Sequence, residues 1–293
     1  MKLLIHDRED ISFLVLEGRL DADGVAELEQ PFAEAVLGRG LSTVVDMSGV
    51  SFMSSLGIGM LFDNTKKLKK AGGKLVLLSP RGMVETVLKT SKMDKLMPLV
   101  YDLQEAVRMV GGDPTIGAAP ATRTDTAAGG SNATTSGTPD NILKLRIKND
   151  MAELTSLYAK ANELLVRHLV PYRSGYATNL AIEELVVNII RYAFMDDEEH
   201  DIDIGLGVFG EQILLEIRDD GRPFDPRESP PHNVDAEDLE PGGLGLTLVL
   251  DLVDLLTYRR AHDRNHVQVG IHIRQEEGGE LWNPQPKETA ASG

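Results

Sequence analysis

The chain has no cysteine, a single tryptophan and only 5% aromatic residues in 293 positions. Without cysteine, disulfides and thiolate metal sites are excluded. Its seven histidines show no metal-ligand spacing. No apolar run approaches the ~20 residues that a membrane helix needs, and the N-terminus has no signal-peptide core. A cytoplasmic protein with no membrane contact is therefore expected. Basic residues are also short: 30 Lys and Arg face 46 Asp and Glu, for a net charge of −16. That balance argues against direct nucleic-acid binding, which relies on cationic contacts to phosphate. The deficit is local. Residues 1–110 carry 14 basic and 15 acidic side chains, whereas residues 141–293 carry 15 and 28. Such an acidic surface serves solubility or the docking of a basic partner, and the sequence leaves both open.

The length suits two domains, each with its own core. The stretch 111–140 separates them: 24 of its 30 residues are Gly, Ala, Thr, Ser or Pro. It has no apolar periodicity and reads as a disordered tether. A flexible chain of that length spans on the order of 30 Å, so the two domains would meet at an effective concentration of order millimolar. The expected layout is thus 1–110, a linker at 111–140, a second domain at 141–275 and a mobile tail at 276–293.

In 1–110, strand-like runs at 2–5, 11–16, 41–46 and 74–78 alternate with helical patterns at 23–38, 56–71, 81–91 and 102–110. This is an α/β layout around one sheet. Ser54 and Ser55 stand between a strand ending at Asp46 and an apolar helix carrying Leu61 and Leu68. Serine at such a point is commonly an N-cap.

The second half holds three short motifs. In residues 180–194, Leu180, Leu185, Val186, Ile189 and Ile190 recur at helical spacing and would face a core. Glu184 and Asn188 lie four apart, on one helix face. A carboxylate beside an amide oxygen can polarise a hydroxyl and ligate Mg²⁺. Residues 213–221 read as a strand that ends in Asp219-x-Gly221, where a carboxylate and a close backbone approach suit an adenine amino group. Last, Gly242, Gly243, Leu244, Gly245 and Leu246 open an apolar helix, offering backbone N–H groups to phosphate. Each motif alone is an ordinary helix face, turn or helix start. Their order is that of one nucleotide pocket.

At these residues, over about 141–274, the chain resembles the GHKL (Bergerat-fold) ATPases, and within them the serine-kinase anti-sigma factors. The resemblance implies a two-layer α/β sandwich that takes ATP and Mg²⁺. It gives Glu184 the role of catalytic base and Asn188 that of Mg²⁺ ligand. Asp219 would read adenine above Gly221, and Gly243, Leu244 and Gly245 would belong to the glycine box. Kinase-type members often carry an arginine just before those glycines, where this chain has Pro241. Proline brings neither charge nor N–H; Arg222 and Arg227 are the candidates to replace that cation.

Phe52-Met53-Ser54-Ser55-Leu56-Gly57-Ile58-Gly59, together with Gly18-Arg19-Leu20-Asp21, resembles the STAS domain of anti-sigma factor antagonists over about 3–108. The resemblance implies a mixed sheet with helices and makes Ser55 the phosphoacceptor. The family's preceding aspartate is replaced by Ser54, which is left as a competing acceptor.

Taken together these resemblances imply a fusion, α/β plus α+β, of antagonist-like and kinase-like domains that regulates transcription by partner switching. The partners implied are its own STAS domain or other STAS proteins, a sigma factor and a protein phosphatase; a homodimer is compatible. The alternative is a nucleotide-gated binding module without transferase activity, with the STAS domain as an internal pseudo-ligand.

Overall fold

A computed structural model describes residues 1–7, 11–38, 42–112, 141–228, 244–274 and 279–284. The expected tether lies outside them, apart from residues 111 and 112.

The N-terminal domain is a five-stranded sheet of β1 (Lys2–Asp7), β2 (Ile11–Leu20), β3 (Ser42–Met53), β4 (Leu75–Leu78) and β5 (Leu99–Val100), ordered as in the sequence. β1 is antiparallel to β2 and the remaining pairs are parallel, so the sheet is mixed as expected. Helices α1 (Ala22–Leu37), α2 (Ser55–Lys70) and α3 (Gly82–Thr90) cover one face. Leu14, Leu16, Phe32, Phe52, Leu61 and Val84 fill that core and are almost wholly buried. α4 (Leu103–Met109) closes the other face over Phe13, Val44, Val76 and Val100. α1 and α2 both begin at the same end of the sheet. Asp21 caps α1 by accepting the Gly24 N–H at 3.0 Å, and Ser54 holds the cap position of α2.

The C-terminal domain is an antiparallel sheet of β6 (Ile142–Lys148), β7 (Asp201–Phe209), β8 (Gln212–Asp219), β9 (Leu255–Ala261) and β10 (Arg264–His272), in the order β6-β7-β8-β10-β9. Alternation along β8 sends Ile213, Leu215, Ile217 and Asp219 inward while Leu214 stays exposed. Helices α5 (Glu153–Arg167), α6 (Tyr172–Tyr192) and α7 (Leu244–Leu252) contribute the other half of the core. The result is the expected two-layer sandwich.

The two domains are packed together along α6. Tyr172, Tyr176, Asn179 and Glu183, spaced by four, three and four, form one stripe on that helix. The Tyr172 hydroxyl donates to Ser51 O at 2.7 Å and that of Tyr176 to Met53 O at 2.8 Å. Arg19 donates to Asn179 Oδ1 at 3.4 Å while its guanidinium lies 4.1 Å over the Phe52 ring. At the edge, the Thr155 hydroxyl donates to Asp23.

The tail differs from expectation. Residues 279–284 lie against α6: Glu280 O accepts the Tyr172 N–H, and Trp282 N–H donates to Val170 O. Trp282 is 3% exposed and donates its indole N–H to Asn162 Oδ1 at 2.9 Å. Its ring fills a notch over Gly175, where a Cβ would stand 2.3 Å from the indole. A large apolar ring with a buried acceptor for its polar edge has reason to dock.

Candidate active site

Residues 180–192 lie within α6, whose apolar positions pack on the sheet and leave Glu184 and Asn188 on an adjoining face. The site comprises two cavities that share Asn188, Tyr192 and Leu246.

The first, of about 230 Å³, is lined by Leu185, Ile189, Phe224, Pro226 and Val267, with Asp219 among them. Asp219 ends β8 directly opposite Asn265 on β10. Its Oδ1 accepts the Gly221 N–H at 2.9 Å and the Asn265 amide at 2.8 Å. Among the described residues both bonds fall on one oxygen, leaving Oδ2 as an acceptor. Burial raises the Asp219 pKa above the usual carboxylate range, against the opposing bond from Asn265. Gly221 is packed closely, since a Cβ there would stand 2.6 Å from that of Ala193. Arg260 secures the same turn by donating to Gly221 O at 2.8 Å. The result is an apolar slot with one buried carboxylate in its wall.

The second cavity lies between the domains. Ser55, Leu56, Gly59, Met60 and Asp63 line one side, and Glu184, Asn188, Arg191 and Gly245 the other. Ser55 is the first residue of α2. Its N–H donates to Glu184 Oε1 at 2.8 Å and its hydroxyl to Glu184 Oε2 at 2.6 Å. Glu184 is buried, and burial raises its pKa, opposed by the two Ser55 bonds and by the nearby Arg191 charge. Gly245 closes over this pair: a Cβ there would lie 1.8 Å from Glu184 Oε2 and 3.0 Å from Ser55 Oγ. Only a residue without a side chain fits.

Glu184, Asn188, Gly245 and Ser55 thus converge, with Asp219 and Gly221 in the adjoining cavity. Leu244 is buried at the start of α7, while Pro241, Gly242 and Gly243 lie outside the described residues. Ser54 is not brought to the site. It is fully buried, and its hydroxyl donates to Leu20 O at 3.1 Å. That bond turns it away from Glu184 and corrects the expectation of a competing acceptor. Arg227 is also committed elsewhere, forked onto Asp225. Arg222 lines the apolar cavity instead. Arg191, one turn beyond Asn188, was not singled out in the sequence and is the cation lining the Ser55 cavity among its described residues. Asn265 also went unseen, because strand register, not local sequence, places it beside Asp219.

No helix among the described residues is long and apolar enough to cross a membrane, and they contain no cluster of His, Asp and Glu suited to a metal.

Comparison with known proteins agrees with both halves. A family model described as the histidine kinase-like ATPase domain matches residues 147–271, and the STAS domain model matches residues 2–106. The serine/threonine-protein kinase BtrW of Bordetella bronchiseptica is 28% identical over 138 residues, covering 44% of this chain and 97% of that protein. The serine-protein kinase RsbW of Oceanobacillus iheyensis is 33% identical over 89 residues, covering 28% of this chain and 56% of that protein. An anti-sigma F factor antagonist of Lysinibacillus sphaericus is 28% identical over 91 residues, covering 31% of this chain and 75% of that protein. With the family models and the two folds in agreement, the chain joins a STAS domain to an ATPase domain of the GHKL, histidine kinase-like family.

Proposed function

We propose that this chain is a two-domain partner-switching regulator: its ATPase domain is a serine kinase and its STAS domain the tethered substrate. One observation carries the reading. The Ser55 hydroxyl donates to the buried Glu184 carboxylate at 2.6 Å, so acceptor and base are in direct contact.

Asp219 holds the adenine of ATP through Oδ2, with Leu185, Ile189 and Val267 as the walls of its slot. Asn188, at the junction of the two cavities, is the residue to hold Mg²⁺, which when bound would neutralise phosphate charge. Glu184 Oε2 takes the Ser55 proton as Oγ bonds to the terminal phosphorus and the phosphorus–oxygen bond to ADP breaks. A carboxylate whose pKa is raised by burial is the stronger base for that step. Gly245 leaves the room and Arg191 adds positive charge on the same side. Once Glu184 passes that proton to solvent, the product phosphoserine lies against its carboxylate. Like charges in contact favour separation of the domains, freeing each for other partners. A sigma factor for the ATPase domain and a phosphatase for the phosphorylated STAS domain are the partner classes proposed, with the cytoplasm as the place of action.

Incubating the full chain with labelled ATP and Mg²⁺ and mapping phosphopeptides tests this. The expected product is phosphate on Ser55. Nucleotide binding without phosphate anywhere on the chain would replace the kinase reading with a nucleotide-gated binding module.

A further inference from the structure

Glu183 is a buried carboxylate that the transfer chemistry does not use. It is 1% exposed, on the residue preceding the candidate base. Its Oε1 accepts the Ala22 N–H at 2.6 Å and its Oε2 accepts the Tyr158 hydroxyl. Ala22 is the first residue of α1 in the STAS domain, so its N–H has no partner inside its own helix. Glu184 takes the Ser55 N–H, the first amide of α2, at 2.8 Å. Two consecutive carboxylates on α6 therefore end on the first amides of two different STAS helices. Successive residues of a helix point about 100° apart, which lets the pair diverge to both. Arg19 adds a further contact across the interface, paired with Asp21 at 2.6 Å and reaching Asn179 on α6.

We infer that Glu183 is a specificity-determining docking residue: it measures where a second helix begins relative to the acceptor serine. The substrate it admits is a STAS domain whose two helix N-termini are both open, with serine as the first residue of one of them. The inference rests on reading Ser55 and Glu184 as acceptor and base, but the docking contact can be read without nucleotide. Glu183 touches neither nucleotide nor the reacting hydroxyl, so it acts by positioning. Removing it would strand a buried N–H, whose loss is worth a factor of roughly ten or more in docking.

Hydrogen exchange on the full chain without nucleotide tests this directly. Glu183→Ala should speed exchange of the Ala22 and Ser55 amides roughly tenfold or more, with amides inside α6 still protected. Glu183→Gln keeps a carbonyl oxygen for Ala22 and should restore most of the protection. If Glu183→Ala also exposes α6, Ala22→Pro decides from the other side of the interface. Proline suits the first position of a helix, and Asp21 before it is already extended, at φ −90° and ψ −172°. That variant removes only the donor, so it should expose the Ser55 amide and slow phosphate transfer to Ser55 while leaving ATP affinity unchanged. Wild-type protection of Ser55 in Glu183→Ala, or in Ala22→Pro, would overturn the inference. Failure of the wild type to phosphorylate Ser55 would instead overturn the kinase reading and leave the amide result to decide the docking role.

Discussion

At the residue scale, the chemistry depends on how burial divides the work among neighbouring carboxylates and amides. Glu184 is held off water and keeps one hydroxyl and one N–H as partners, so its charge state is coupled to Ser55. Glu184→Gln keeps the shape and loses the basicity. Nucleotide affinity by calorimetry should stay within a few-fold while transfer falls about 10²-fold or more, the usual scale for a general base. Asp219→Asn can turn an NH₂ toward the adenine amine. It should lower ATP affinity and narrow the gap between ATP and GTP in the same titrations. These positions were legible in the sequence because each motif pairs a chemistry-bearing side chain with a local element. Asn265 and Glu183 were not, since their partners come from another strand and another domain.

At the scale of elements, α6 is the centre of the molecule. One stripe grips the STAS domain, the next carries Glu184 and Asn188, and the remainder packs on the sheet. The sequence marked residues 180–194 by their apolar spacing but not the stripe that begins at Tyr172, whose tyrosines look like ordinary core or surface residues without a partner in view. The Trp282 segment was read as a loose tail for the same reason: a lone tryptophan among polar residues finds its notch only when Gly175 and Asn162 are assembled by other elements. Gly175→Ala should eject the indole, because no Cβ fits beneath it. Trp282→Ala should destabilise the C-terminal domain by about 3–5 kcal/mol, the range for deleting a buried aromatic. The chain has one tryptophan, so a red shift and quenching of emission in Gly175→Ala, with a lower Tm, would confirm the packing; an unchanged spectrum would place the indole elsewhere.

At the scale of the whole molecule, docking should be linked to protons. Burial first, then the Asp21 and Glu184 charges, push the Glu183 pKa up to about 8, against the opposing Tyr158 bond and Arg19 charge. Burial moves Glu184 in the same direction. A docked pKa above that of the separated domains means that docking takes up protons. Docking is then strongest below the ordinary carboxylate range, weakens as pH rises through neutrality, and levels off above about 8. For one proton the change reaches up to about tenfold per pH unit. Protection of the Ser55 amide, corrected for intrinsic exchange and followed from pH 5 to 9, should fall accordingly, and Glu183→Gln should flatten its slope.

The strand and helix runs of residues 1–110 were readable from periodicity to within a few residues, apart from the short β5 and the extension of β3 to Met53, while the two domain folds followed from the family resemblances carried by the motif residues. Their mode of packing was not readable, because it rests on side chains that meet only in three dimensions. The central claim is that Ser55 accepts phosphate from the ATPase domain of its own chain, and a dilution series of initial labelling rates tests it most directly. Intramolecular transfer predicts a first-order rate constant unchanged across a hundredfold dilution, and labelling at a much lower rate when Glu184→Gln and Ser55→Ala chains are mixed at low concentration. A rate constant that falls in proportion to dilution, or phosphate on any residue other than Ser55, would contradict it.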